Sequence, residues 1–151
     1  MLILKLILFS LLMAFIMAKL EIEIEGKDGW AAALPTWRVK NWFTRLLWGK
    51  QEFTGYHFWV FWLLMTLLHF PFWLGMPWTF QLELQILAVF FLGVIFEDFF
   101  WFVLNPHYGL KKFSKQYVHW HADWWGRVPY LYIKMAIMTG LCFGVSTILP
   151  S

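Results

Sequence analysis

Apolar residues run along this chain in four long stretches, over residues 2–18, 56–75, 82–104 and 129–149. Only Lys5 breaks the first. A helix rises 1.5 Å per residue, so about 20 residues cross the hydrocarbon core of a bilayer. The last three stretches are ample and the first is short. The pattern predicts an all-α integral membrane protein with four transmembrane helices. No internal repeat or low-complexity tract divides it, so residues 1–151 read as one multi-pass membrane domain.

The first stretch has a second reading, a secretory signal. Its early lysine and apolar core fit, but Ile16 stands where cleavage before Lys19 needs a small residue. A retained helix is the expectation. Beyond it, Glu21-Ile22-Glu23-Ile24-Glu25 alternates with period two, as a strand or extended segment does. Gly26-Lys27-Asp28-Gly29 then reads as a turn. Past Pro35, Val39, Trp42, Phe43, Leu46 and Leu47 recur at helical spacing, with Arg38, Lys40, Asn41, Thr44 and Arg45 on the other face. That arrangement predicts an amphipathic helix lying in the membrane interface. The anionic cytoplasmic leaflet would attract it by about 1 kcal/mol per basic residue.

Charge sets the orientation. The first connection carries Lys19, Lys27, Arg38, Lys40, Arg45 and Lys50, and the third carries Lys111, Lys112, Lys115 and Arg127. The connection at residues 76–79 and the C-terminal tail carry neither Lys nor Arg. Basic loops stay in the cytoplasm, so both termini are expected outside. Cleavage of the first stretch would put the six basic residues of the first connection on the wrong side.

Composition agrees. Apolar residues make up 61% and charged residues 14%, against roughly 45–50% and about 25% in soluble domains. Much of that surface needs lipid as its solvent. The 12 tryptophans gather at segment ends, where an apolar ring and a polar N–H both find company. A net charge of +3 gives no reason to expect nucleic acid. The chain has no P-loop, GxGxxG or GxSxG, which leaves ATP-driven and dinucleotide chemistry unsupported. With Cys142 alone, no intrachain disulfide forms. Small size and the lack of eukaryotic sorting signals point to a prokaryotic inner membrane.

The candidate chemistry begins with Glu97 and Asp98, inside the apolar run 86–104. Charge at that depth is costly and usually has a partner or a task. Both lie about 10 Å, by helix rise, from the end of their helix near Asn105. Two close carboxylates resist joint ionisation, so one can remain a proton donor. His107, His119 and His121 follow in the next connection, and His57 opens the second stretch at a compatible level. In an extended segment His119 and His121 point to the same side. With Glu97 and Asp98, and His107 as a further imidazole, they make a candidate site for zinc, iron or manganese. No established metal motif is matched: there is no His-Glu-x-x-His and no cysteine pair.

A purely structural alternative uses the same residues. Lys134 lies at the matching depth of the fourth stretch, where it could neutralise Glu97 or Asp98 and lock two helices together. His69 has no second helical histidine to share a haem with. Gly140 and Gly144 form a Gly-x-x-x-Gly, a spacing that permits close packing in a homo-oligomer or against a membrane-protein partner. Three functions are therefore in play. The first is a non-catalytic, lipid-interacting subunit or scaffold. The second is a small membrane enzyme with a metal or acid–base site, acting on a lipid, with Glu97 and Asp98 as catalytic groups. The third is a proton or cation path in an oligomer.

Overall fold

The computed structural model describes residues 2–49, 51–121 and 123–149. Lys50 and Ala122, which belong to the basic first connection and to the His119–Asp123 stretch, lie outside them. The chain is mostly helical. In order come α1 (Leu2–Glu25), β1 (Arg38–Val39), α2 (Trp42–Trp48), β2 (Phe53–Thr54), α3 (Gly55–Trp73), α4 (Phe80–Leu104), a 3-10 turn (Leu110–Lys112), β3 (Trp124–Trp125), β4 (Val128–Pro129) and α5 (Tyr130–Ile148). The strands form two separate two-residue antiparallel ladders, β1 with β2 and β3 with β4.

Among the described residues, three helices are long and apolar enough to cross a membrane: Ile3–Glu25, Phe80–Leu104 and Tyr130–Ile148. The expected fourth span corresponds to α3, which is not among them. It carries His57, His69 and Pro71 within 19 residues.

Helix α4 is the central post. It packs along α1 on one side and α5 on the other, while α3 touches it far less. Small groups set the α1–α4 approach. A Cβ on Gly93 would stand 2.8 Å from Ser10 Oγ, and that hydroxyl donates to the Val89 carbonyl at 2.9 Å.

Here the expectation for residues 21–25 is corrected. The segment is not extended: it is the last turn and a half of α1. Ser10, Ala14, Met17, Ala18, Glu21, Ile22 and Glu25 are buried at helical intervals, whereas Glu23 and Ile24 are exposed. Burial of that stripe against α4 prevails over the local alternation. The helix stops at Gly26, whose φ of +62° suits glycine, with its N–H donating back to the Ile22 carbonyl at 2.9 Å.

The turn after α4 secures this end. Asn105 Nδ2 donates to the Gly26 carbonyl at 2.8 Å, and the Tyr108 hydroxyl donates to the Lys27 carbonyl at 2.9 Å. Burial, then the Asp28 and Glu25 carboxylates, push the Tyr108 phenol above its ordinary value, which keeps it a donor. Beneath lies an aromatic core in which the rings of Phe102 and Trp120 stack at 5.8 Å and 6°. Gly29 sits where a Cβ would meet Trp120 at 2.7 Å, so the chain there must be bare.

The predicted interfacial helix is α2, shorter than the sequence pattern by its first turn. Asn41 and Thr44 form a reciprocal capping box with both bonds at 2.9 Å. Trp42, Phe43 and Leu46 remain exposed.

Candidate functional site

Both long connections lie at one end of the bundle, where α1 and α4 end and α3 and α5 begin. There a cavity of about 30 Å³ is lined by Glu21 and Glu25 of α1, His57 of α3, and Glu97 and Asp98 of α4. Trp30, Trp48, Trp101 and Trp120 contribute to its walls. Four carboxylates thus share one small space inside an apolar bundle. Among the described residues, every ion pair uses a histidine, and no Lys or Arg reaches these acids.

Each acid arrives by simple geometry. Glu21 and Glu25 are four residues apart, on one face of α1. Glu97 and Asp98 are adjacent on α4 and diverge, so each has its own neighbours. His57 sits in the first turn of α3, where Thr54 is the N-cap. Thr54 Oγ1 accepts from the His57 backbone N–H at 3.2 Å and lies 2.7 Å from ring Nδ1. The ring is therefore held with Nε2 toward Glu25 Oε1, 3.9 Å away.

Two subsites result, and they differ in satisfaction. In the first, Asp98 Oδ2 lies 2.9 Å from His121 Nε2 and accepts the Tyr132 hydroxyl at 2.6 Å. His121 is positioned in turn by Trp124 at the start of the β3–β4 hairpin, whose indole N–H donates to the His121 carbonyl at 2.6 Å. In the second, the ligand atoms of Glu21, Glu25 and His57 all fall within 4.8 Å of one another. Around them, Glu97 Oε1, Tyr56 Oη and Trp101 Nε1 are out of solvent and, among the described residues, meet no partner in good hydrogen-bond geometry, with Glu97 and Tyr56 beside the Glu21 carboxylate and Trp101 beside that of Glu25. Buried polar atoms are nearly always paired, so three orphans in one place call for an explanation.

The segment after α1 roofs the second subsite. Trp30 and Ala31 adopt left-handed φ values of +59° and +54°. Such conformations cost about 1–3 kcal/mol each and gather at functional sites. Ala31 N–H donates to Glu25 Oε1 at 2.5 Å. The Trp30 indole stacks on His57 at 4.1 Å and donates to the Glu52 carbonyl at 2.6 Å.

The structure brings together three of the residues expected from sequence: Glu97, Asp98 and His121. It leaves two apart, because His107 and His119 are exposed and neither lines the cavity. It also redirects Lys134, whose ammonium donates to the Leu46 carbonyl at 2.9 Å instead of pairing with Glu97 or Asp98. Glu21, Glu25 and Tyr132 were not foreseen. The pair on α1 had a signal, its i, i+4 spacing continuous with the Ser10–Ala14–Ala18 stripe.

Two other spaces adjoin the cavity. An outer pocket of about 20 Å³ is lined by Gln51, His121, Asp123 and Lys134 among others. A far larger groove of about 670 Å³, walled by Phe43, Phe58, Trp62, Phe91, Met135 and other apolar side chains, opens where α3 stands off from the bundle. Trp48 and Leu131 line all three spaces.

These features define a helical bundle with three helices long and apolar enough to cross a membrane and an acid–histidine centre buried near one end. Comparison of the chain with protein-family models, with curated proteins and with solved structures finds no match.

Proposed function

We propose that this protein is a small membrane enzyme acting on a lipid, with acid–base chemistry at Asp98, His121 and Tyr132. The observation that carries the reading is the shared wall at Trp48 and Leu131. There a polar outer pocket, an acidic inner cavity and an apolar groove meet. An amphiphile fits that sequence of environments. Its chain would lie in the groove, whose volume is within the roughly 300–1,000 Å³ usual for ligand sites. Its polar group would lie beside His121, with Lys134 on the rim to attract a phosphate. Asp98, in the wall of the inner cavity, holds and orients the imidazole of His121, which lines the outer pocket.

In this reading α3 is the fourth span. Its 19 residues measure about 28 Å by helix rise, close to the hydrocarbon thickness of about 30 Å. In the same reading the two basic connections lie in the cytoplasm, the site lies at the cytoplasmic headgroup layer, and both termini lie outside. The proton-path alternative has less support, because the next cavity along the bundle is lined by apolar groups apart from Ser10 and Glu97.

The test is turnover. Purified protein in nanodiscs of mixed bacterial-type phospholipid, with manganese, iron(II) or zinc supplied, is followed by lipid mass spectrometry. One lipid class should change with wild type and not with Asp98→Asn or His121→Gln. No change in any lipid would replace the enzyme by a non-catalytic lipid-holding subunit.

A further inference from the structure

The orphaned atoms around Glu21, Glu25 and Glu97 are not explained by the acid–base subsite. Asp98 already accepts two hydrogen bonds, and the Nε2 of His121 is engaged with it. Neither needs a cation. The other three acids are different. Glu21 and Glu25 are both buried, four residues apart on one helix, an arrangement that destabilises a helix even in water when both are charged. Glu97 closes the cavity from α4 with a buried, unpartnered oxygen.

We propose that Glu21, Glu25 and His57 hold one divalent transition cation, manganese, iron(II) or zinc, with Glu97 as a fourth donor. This is a different ligand set from Glu97, Asp98, His107, His119 and His121, which the sequence pattern suggests, and it shares only Glu97 with it.

The geometry is close to what an ion needs. Ligand atoms bound at about 2.0–2.2 Å lie roughly 3–4.4 Å apart across the ion. The span here is within 4.8 Å, so small side-chain rotations close it. The 3.9 Å between His57 Nε2 and Glu25 Oε1 is too long for a hydrogen bond and suits two ligands of one ion. Two carboxylates and an imidazole are donors that manganese, iron and zinc all accept.

The support around the ligands fits as well. Thr54 Oγ1 lies 2.7 Å from His57 Nδ1; in the tautomer with the proton on Nδ1, the Nε2 lone pair faces the cavity, the usual outer arrangement of a metal-bound histidine. Ala31 N–H anchors Glu25. The cavity of about 30 Å³ has room for the ion and a bound water. Trp101 Nε1–H, itself unpartnered, is a donor available to that water. The Trp30 roof limits exchange with solvent.

The experiment needs no substrate, so its outcome is independent of whether the protein turns over lipid. Full-length protein is purified in detergent without chelators, reloaded separately with manganese, iron(II) and zinc, and assayed by elemental mass spectrometry. Wild type should hold about one equivalent of one metal. Glu25→Gln and His57→Gln should lose it by at least ten-fold, while His107→Gln/His119→Gln and His121→Gln keep it. Tryptophan emission and elution volume confirm folding of each variant. Pulsed electron resonance on the manganese-loaded protein gives a second reading. The nitrogen coupling of a bound imidazole should vanish in His57→Gln and persist in His121→Gln. No metal after all three reloadings, metal that survives in a folded Glu25→Gln or His57→Gln, or nitrogen coupling lost only with His121 would overturn the assignment.

Discussion

Histidine–carboxylate contacts stand at both ends of the bundle, and the His69–Glu83 contact at the far end is built on opposite terms to the Glu25–His57 contact at the near end. At the far end, His69 Nε2 lies 3.1 Å from Glu83 Oε1 and His69 Nδ1 lies 2.7 Å from the Met65 carbonyl. The other Glu83 oxygen accepts the Trp78 indole N–H at 3.0 Å. Each polar group has a partner, and both side chains are about a quarter exposed. That contact is sufficient as a clamp between α3 and α4. At the near end, Glu25 and His57 are almost wholly enclosed, at 2% and 7% side-chain exposure. They share their cavity with three further carboxylates and several unpartnered atoms. A cluster that only held helices together would resemble the far end. The near end keeps polar groups under-satisfied at a stability cost, as binding and catalytic sites do.

Substitutions sharpen the contrast. The largest difference should come from paired neutralisations. Glu25→Gln at the near end should weaken metal binding by more than the roughly 10–100-fold that loss of a supporting residue costs. Glu83→Gln at the far end should leave metal binding unchanged and cost about 1 kcal/mol of stability. Metal titration and thermal unfolding of both proteins separate the two effects. Next, Gly29→Ala forces a methyl group against Trp120 and should destabilise by about 1–3 kcal/mol, read by thermal unfolding in detergent. Thr54→Ala removes the α3 cap and the His57 anchor together. It should cost about 1 kcal/mol and also lower metal affinity, by about 10-fold. Last, Lys134→Met should alter stability by no more than about 0.5 kcal/mol. A loss of 3 kcal/mol or more would mean that this ammonium neutralises a buried acid after all.

Much of the architecture was legible because long apolar runs of this length are most simply satisfied as helices, whose backbone groups pair within the segment. The stretches ending at Leu104 and starting near Pro129 match α4 and α5 to within two residues at each end. The amphipathic spacing after Pro35 found α2. Glu97 and Asp98 stood out because a charge within an apolar run is expensive. Their partners were harder to see. Glu21 and Glu25 carry two periodicities at once, two and four, and only the buried stripe on α1 decides between them. Three-dimensional approach, not spacing, brings His121 rather than His119 or His107 beside Asp98. The Lys134 expectation failed because equal depth in two helices does not make two side chains face each other. Lys134 turns outward to the end of α2.

The central claim is that the near-end acids form a cation site. It is tested most directly by thermal unfolding of the purified protein as manganese, iron(II) or zinc is added. A ligand that binds only the folded state stabilises it by RT ln(1 + [L]/Kd), about 2.7 kcal/mol at 100 times Kd. The account predicts such a saturable rise for one of these metals in wild type and in Glu83→Gln, and none in Glu25→Gln. No rise for any metal, or an equal rise in Glu25→Gln, would contradict it.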